Sequence, residues 1–599
     1  MSDVIVTESY LEDIADAIRD RNGTNQTYKI HQMDEAIRDL HNVNIKKWIR
    51  PSDFPDYSKI DLTDQEVIYL TYDCTYKNIN HISILVGGAY TIKRGTLNNG
   101  IFNNVSSTNM ASGATFQETL PSNEGDYVVY QITPQEGSHI TNFRFVSMTD
   151  PDSNYVYHAP QQPCVERYCN VPYHTTSWGN SQPTSNSSHV TWLMLADTII
   201  GAKPNGSVAN SYRTDTDGAL RYINIENCSF ANVTSSQYLF YYNYGLQELY
   251  VPHDIGTKCT ITQGMFQNCE RLVFLDLTGW DTSNITNFSA MFSGCTSLCE
   301  IVGIENFNFT KAINLSSMFT TCRMLNNLDT SEWQTTTALT SCASIFQGCM
   351  NIKSLDLSGF VTDNVTTFAN MFTSCSSLVE IDLTNFVISN KVTTLAFMFQ
   401  HCTSLRKIIR NKNWNTSNVT TFVSMFHNCR TMKTLDISDF VFSKATTIKE
   451  MFNGMRRCQK IIANINLSAL TAVGNIATFA NNCYSLGDVS ELIFTNCIYM
   501  PYFGYCRSLK TIKIPSSVTT IPNDTFRDCY HLALVDCRDC TAVPTLSGVN
   551  AFILNSNTKQ KIVVPDALYD EWIAATNWSN ATLVTRIIKA SDYEASLAS

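Results

Sequence analysis

The chain has 599 residues, a net charge of −11 and only 16% charged residues. This length is too great for one compact core and predicts several domains or an extended array. The acidic balance argues against nucleic acid and anionic membranes as partners, because phosphates are bound by clustered Lys and Arg. The absence of any run of about 18 apolar residues argues against a membrane span.

The first 44 residues predict a hairpin of two short amphipathic helices. Thr7 can cap the first helix, and Asn22-Gly23 ends it. Apolar residues recur on one face of each helix at Leu11, Ile14, Ile18, Ile30, Met33, Ile37 and Leu40. Residues 1–44 are too few to supply their own core, so we expect them to pack on another domain, on copies of themselves or on a partner.

Residues 45–200 predict a β-sandwich-like domain followed by a linker. Apolar or alternating runs lie between Gly, Asn and Pro, as strands of such domains do. The runs are EVIYLTYD (66–73), HISILVGGAYTIKRG (81–95), GDYVVYQIT (125–133) and HITNFRFVSM (139–148). The polar and aromatic stretch at 171–192 is interpreted as a linker or surface loop, with a sugar-contacting loop as the alternative.

Residues 201–548 contain an internal repeat, which is the strongest signal in the sequence. A register residue, usually Leu, recurs thirteen times at intervals of 23 to 28 residues. The register residues are Leu220, Leu246, Leu272, Leu298, Leu325, Ile352, Leu378, Leu405, Met432, Cys458, Leu486, Leu509 and Leu532. We call each unit a rung and name it by its register residue. One rung cannot bury its apolar side alone, so the repeat predicts a stacked solenoid of about 13 rungs.

Each rung is predicted to contain a strand and a short helical turn. The strand reads Leu-x-x-Leu-Asp-Leu, as in LVFLDL (272–277), and its alternation indicates one buried face. The second part, TSNVTTFVSMFHNC (416–429), places Val419, Phe422, Met425 and Phe426 at helical spacing. Aromatic residues eight or nine positions after the register residue, from Trp280 to Phe440, are interpreted as core filling, with a glycan platform as the alternative.

Cysteines occupy one equivalent position in most rungs. Stacked neighbours about 5 Å apart would lie within disulfide range. Because their side chains run parallel into the core, we favour a ladder of reduced, buried thiols over a disulfide framework. The ladder comprises Cys269, Cys295, Cys322, Cys349, Cys375, Cys402 and Cys429, continued by Cys483, Cys506 and Cys529.

Strand alternation also predicts which residues face outward. The buried strand positions are three and five after the register residue, so positions two and four face solvent. The candidate receptor-binding residues are Glu300, Asn327, Asp356, Glu380, Asp382, Lys407 and Asp436. The Asp column among them is interpreted as bonding neighbouring backbone N–H groups, with calcium binding as the alternative.

The sequence contains no phosphate loop, no HExxH and no GxSxG. We therefore predict a protein that is not an enzyme, with no cofactor and no metal site. A pair of carboxylates for glycan cleavage remains open, because Asp and Glu are plentiful.

The rungs at 272–458 resemble the BspA-like leucine-rich repeat family, and LKTIKIPSSVTTIPNDTFRDCYHL (509–532) is similar to its 23-residue variety. Residues 562–590 resemble the closing cap of such arrays, which implies a C-terminal cap at 549–599. The segment IVTESYLEDIADAIRDRNGTNQTYKIHQMDEAI (5–37) resembles a short N-terminal module of phage and prophage structural proteins.

These resemblances imply a phage virion appendage protein of the tail-fibre or receptor-binding type. Residues 1–44 would contact other virion proteins, and the array would bind a host-surface glycan or protein. We expect a homo-oligomer that is assembled in the host cytoplasm, since the acidic N-terminus lacks the features of a secretion signal. The alternatives are a bacterial surface adhesin and a tail-associated glycan depolymerase.

Overall fold

The fold is described by a computed structural model of the chain. It describes residues 67–73, 81–98, 101–119, 127–138, 142–145, 148–149, 156–157, 163–169, 222–224, 234–241, 243, 246–255, 257–326, 328–412, 414–552 and 560–598. The predicted helical hairpin at 1–44 and the linker at 171–192 lie outside these residues.

Ten strands precede the repeats. They are β1 (Val67–Asp73), β2 (His81–Gly87), β3 (Tyr90–Asn98), β4 (Ile101–Met110), β5 (Thr115–Thr119), β6 (Tyr127–Pro134), β7 (Asn142–Phe145), β8 (Met148–Thr149), β9 (Val156–Tyr157) and β10 (Pro163–Cys169). Strands β10, β1, β6, β3 and β4 pair antiparallel in that order, and β5, β2 and β7 form a second antiparallel sheet. Ile68 and Leu70 of β1 and Ile84 and Val86 of β2 are buried. The β-sandwich stays a prediction.

The repeats supply the remaining strands, most of them three residues long. They are β11 (Tyr222–Asn224), β12 (Glu248–Tyr250), β13 (Phe274–Asp276), β14 (Glu300–Val302), β15 (Glu380–Asp382), β16 (Lys407–Ile409), β17 (Thr434–Asp436), β18 (Lys460–Asn466), β19 (Leu492–Thr495), β20 (Thr511–Lys513), β21 (Thr520–Ile521), β22 (Leu534–Asp536), β23 (Thr545–Leu546), β24 (Lys561–Val564) and β25 (Ile587–Lys589). Strands β11 and β12 extend the first sheet by parallel pairing from β10.

The repeats form a solenoid of about 12 turns. Neighbouring rungs pair in parallel and in register, so that Leu275 lies beside Ile301 and Ile381 beside Ile408. The twelve register residues from Leu246 to Leu532 are all buried. The stacked architecture therefore follows the interval of the sequence repeat, because each rung places the same apolar residues against its neighbour.

The second part of each rung is a pair of tight turns, and the predicted helical turn is wrong. In the rung of Leu272, Met291 N donates to Phe288 O and Cys295 N to Phe292 O, both at 3.1 Å. Ala290 and Gly294 have φ of 54° and 79°, in the left-handed region. A left-handed residue interrupts a right-handed helix, and it turns N–H groups toward the next rung. Phe292 N, for example, donates to Met318 O at 2.9 Å.

A column of stacked phenylalanines runs through the interior. Each ring belongs to a Phe that follows Met, Leu or Ile in the second part of its rung, with neighbouring centroids 5.4 to 6.0 Å apart and planes within 18° of parallel. The column comprises Phe240, Phe266, Phe292, Phe319, Phe346, Phe372, Phe399, Phe426 and Phe452. Such offset stacking adds attraction between rings to the burial of apolar area.

The last turns are followed by two helices, α1 (Tyr569–Ala574) and α2 (Ala590–Ala598). Buried Trp578 packs on Phe552 at 5.7 Å between ring centroids and on Trp572 at 5.4 Å. Short 3-10 helices are Ile304–Asn306, Val473–Ile476, Val549–Phe552, Asp566–Leu568 and Val584–Arg586. Among the described residues, no helix has the length and apolarity to cross a membrane.

Replacing Phe372 by Ala should destabilise the array by about 3–5 kcal/mol, since the fully buried ring stacks on both neighbours and its loss leaves a cavity. The free energy of unfolding in urea is the measurement. Exposed Glu380, one rung away, is the matched control, and Glu380→Ala should change stability by less than about 0.5 kcal/mol. Equal effects of the two substitutions would contradict a continuous aromatic interior.

Candidate ligand-binding site

The predicted outward row lies on the strand-bearing side of the solenoid. Two positions after the register residue, the side chains of Phe274, Glu300, Ser354, Glu380, Lys407 and Thr434 are exposed. Asn327 lies outside the described residues. Lys407 Nζ is 3.8 Å from Glu380 Oε1 on the preceding rung, and both side chains are at least half exposed. The row therefore presents a different chemical group at each rung on a regular backbone.

The Asp column four positions after the register residue supports the turns that follow the strands. Asp356 Oδ1 accepts a hydrogen bond from Ser358 N and Asp382 Oδ1 from Thr384 N, both at 2.9 Å. Asp276, Asp329 and Asp436 make the same contact two residues ahead. Within the described residues, no group of three or more His, Cys, Asp or Glu is placed to hold a metal ion.

The cysteine ladder is buried and its thiols are free. The seven ladder thiols from Cys269 to Cys429 donate to the backbone carbonyl of a Phe in the preceding rung, at 3.0 Å for Cys295 to Phe266 O and 3.1 Å for Cys375 to Phe346 O. The same contact is made by Cys269, Cys322, Cys349, Cys402 and Cys429. In these rungs the position therefore holds a small, buried side chain that also donates one hydrogen bond.

The strand ladder is interrupted at several steps, and one of them lies between the rungs of Leu405 and Met432. Among the described strands, β16 pairs with β15 and β17 pairs with β18, but β16 and β17 do not pair. At intact steps the N–H five positions after the register residue donates across the gap, as Leu383 N does to Ile409 O at 2.7 Å. At the interrupted step a side chain makes this contact: Arg410 Nη2 donates to Asp436 O at 2.9 Å.

Arg410 occupies a position that is apolar in the neighbouring rungs. Leu383 and Ile437 are its equivalents, and both are buried. The Arg410 side chain is 9% exposed and forms a two-pronged ion pair with Asp439, with both N–O distances 2.7 Å. Its guanidinium carbon lies 5.1 Å from the Trp414 ring centroid and 5.0 Å from that of Phe440. The paired carboxylate and the two ring faces compensate for the loss of water around the buried cation.

The interruption opens a cleft of about 270 Å³. Its wall includes the apolar side chains of Ile408 and Leu435 and the polar or charged side chains of Lys407, Thr434 and Asp436. Lys412 Nζ lies 2.5 Å from Asp436 Oδ2, and both side chains are more than one-third exposed. Burial raises the pKa of Asp436, but hydrogen bonds from Lys412 and Ser438 outweigh it and lower the pKa to about 2. The cleft thus contains a permanent carboxylate among cations.

The sequence reasoning placed Lys407 and Asp436 in the recognition row and missed Arg410, Lys412 and Asp439. Two signals were available in the sequence. Arg stands at position five where the neighbouring rungs have Leu or Ile, and residues 406–433 contain six cations without one Asp or Glu. The cations are Arg406, Lys407, Arg410, Lys412, Arg430 and Lys433.

Two family models match the repeat array. The model of a BspA type leucine rich repeat region (6 copies) matches residues 208–299. The model of DUF285, a Mycoplasma protein of unknown function, matches residues 260–386 and 371–486. Residues 208–299 are thus similar to BspA-type leucine-rich repeats. A search of curated proteins gave no match.

Solved structures of leucine-rich repeat proteins are also similar to this chain. A leucine-rich repeat protein from Bacteroides ovatus is 15% identical, with a TM-score of 0.32, covering 76% of this chain and 96% of that chain. A leucine rich cell surface protein from Faecalibacterium prausnitzii is 15% identical, with a TM-score of 0.25, covering 75% and 97%. A leucine-rich repeat protein from Eubacterium ventriosum is 16% identical, with a TM-score of 0.24, covering 52% and 84%.

The ladder thiols should resist alkylation in the native protein, because burial raises the pKa of Cys295 and Cys375 to about 12 and blocks access. Iodoacetamide at pH 8 followed by peptide mass spectrometry is the measurement. Cys299, which is partly exposed, is the internal control and should react first. In guanidinium the ladder thiols should react without a reductant. A requirement for reductant would indicate disulfides.

Arg410→Leu should destabilise the array by about 3–5 kcal/mol, since it leaves the mostly buried Asp439 carboxylate without its partner. Asp439→Asn should also destabilise it, and the double variant should recover much of the loss. Urea unfolding of the four proteins gives the coupling energy, which we expect to reach about 2 kcal/mol. The exposed pair Lys513–Asp539 is the control, with coupling below about 1 kcal/mol. Additive effects at Arg410 and Asp439 would refute the pair.

Proposed function

We propose that the protein is a non-enzymatic attachment protein of a phage or prophage particle, of the tail-fibre or receptor-binding type. The repeat array binds a glycan or protein on the host-cell surface through its strand-bearing side. Residues 1–44 contact other virion proteins and hold copies of the chain together. The protein thus has a recognition surface on its repeat array and a particle-bound end at residues 1–44.

The proposed recognition of the host surface rests on one observation, which is the contrast between the inward and outward rows of side chains on the same strands. The inward row holds Leu275, Ile301 and Ile381, all buried, so its chemistry is fixed by packing. The outward row changes from Phe274 to Glu300 to Glu380 while remaining exposed. A rigid array with a free outer row supplies many modest contacts at fixed spacing, and its affinity arises from a few of them.

The particle-bound part rests on the resemblance of residues 5–37 to the N-terminal module of phage structural proteins. A short pair of amphipathic helices cannot fold alone and is therefore suited to assembly with other chains. A bacterial surface adhesin would use the same array and would differ in where the protein is located. A glycan depolymerase would differ in consuming its ligand.

The full chain, labelled with a fluorophore, should bind host cells, and Glu300→Arg combined with Glu380→Arg should weaken binding about tenfold or more, because two hydrogen-bond acceptors of the outward row are replaced by longer side chains that only donate. Flow cytometry of cells with graded protein concentrations is the measurement. Lys391→Glu, an exposed charge reversal in a loop away from the strands, is the matched control and should bind as the parent does.

Immunogold labelling decides the location. Gold on particles supports the virion role, whereas gold on the bacterial surface alone would replace it with the adhesin. Loss of polysaccharide chain length on incubation with the protein would replace it with the depolymerase. Equal cell binding by the parent and the doubly reversed variant would remove the recognition role of the outward row.

A further inference from the structure

Side chains of the array itself form the cleft between the rungs of Leu405 and Met432. At a paired step the two backbones bond directly, as Leu383 N does to Ile409 O. Arg410 instead extends across the step to Asp436 O and Asp439, and Lys412 pairs with Asp436, so side chains join the two rungs where the strand backbones do not pair. The volume of about 270 Å³ is at the small end of ligand pockets, which suits one sugar ring more than a peptide segment.

The charge around the cleft is opposite to that of the whole chain. Residues 406–433 carry six cations and no carboxylate, whereas the chain has a net charge of −11. Arg410 is neutralised by Asp439, and Lys412 by Asp436. Lys407 is 62% exposed at the mouth and lies 3.8 Å from Glu380, a contact too long and too exposed to neutralise it. The mouth therefore attracts an anionic group.

The polar groups of the cleft match a sugar better than a bare anion. Asp436 offers carboxylate oxygens, Lys407 and Lys412 offer donors, and Thr434 offers a hydroxyl. Sugar hydroxyls donate to carboxylates and accept from ammonium groups, so they can use both kinds of partner. Ile408 and Leu435 supply the apolar surface against which the C–H face of a pyranose packs. A simple inorganic anion would use only the cationic groups and would leave the carboxylate and the apolar surface without a partner.

We propose that this cleft binds one sugar residue that carries an anionic group, with the anion toward Lys407 and the hydroxyls toward the Lys412–Asp436 pair. The inference rests on the proposed attachment function and names its ligand class. The cleft lies on the same strand-bearing side as the outward row. One acidic sugar of a longer glycan therefore occupies the cleft while neighbouring sugars of the glycan lie along the row.

Calorimetric titration of the full chain with defined oligosaccharides tests the proposal. The probes are an oligomer of hexuronic acid, a sulfated oligosaccharide, a neutral oligosaccharide of the same length and inorganic sulfate. We expect binding to one or both acidic sugars, weakening with added salt, and at least about tenfold weaker binding to the neutral sugar and to sulfate.

Two variants locate the binding. Lys407→Gln with Lys412→Gln should weaken acidic-sugar binding about tenfold or more, whereas Lys391→Gln with Lys444→Gln, which removes the same charge elsewhere, should change it less than about twofold. Arg410→Leu with Asp439→Asn restores the apolar packing of other rungs and should close the cleft, so a folded protein that no longer binds is expected. Urea unfolding confirms the folded state of each variant.

An equal loss of acidic-sugar affinity in the two double lysine variants would show a general charge effect and overturn the proposal. Sulfate binding as tight as that of the acidic sugars would also overturn it. Cell binding that survives the cleft variants would reject the cleft and leave the attachment function intact. Acidic-sugar binding lost in the cleft variants, in a protein that binds no cells, would support the cleft and reject attachment.

Discussion

Every part of the array depends on one constraint: a rung can exclude water from its apolar residues only by lying on another rung. The phenylalanine column shows the constraint most directly, because Phe372 has Phe346 on one side and Phe399 on the other, both stacked on its ring. Thiol contacts such as Cys375 to Phe346 O add a directional bond between the same rungs. The tight turns serve this stacking as well, since their left-handed residues aim N–H groups at the following rung. Packing, hydrogen bonding and backbone conformation therefore all point along the solenoid axis.

The interval of the repeat and the alternation of its strands were sufficient to predict the solenoid and its buried register. Leu272, Leu378 and Leu509 could be predicted as buried, because the interior of the solenoid is the environment that apolar residues recurring at a fixed interval have in common. The second half of each rung was predicted wrongly as helical. Phe422, Met425 and Phe426 do lie on one side, yet the left-handed φ of Ser424 breaks the helix between them, and Ser carries no strong signal for that conformation.

The cleft was harder to predict, because it arises from residues that the rungs do not share. Arg410 matters as the departure from the shared pattern: it replaces a buried apolar side chain, it takes over a backbone hydrogen bond, and it requires Asp439 on the next rung. The residues that make these contacts are not adjacent in sequence. Only the stacking of the rungs brings Arg410 and Asp439 together. Lys407 and Asp436 were placed on the outward row by strand parity alone, and the structure brings both to the same opening.

Each turn is bonded only to its immediate neighbours. The structure of the two ends of the array therefore does not depend on the number of turns between them. Parallel pairing in register, as between Leu275 and Ile301, is the same operation at each intact step of the ladder. A recombination event that adds or removes one whole genetic unit therefore lengthens or shortens the rod without exposing any interior surface. Reach toward a distant surface can consequently evolve separately from the chemistry displayed along it.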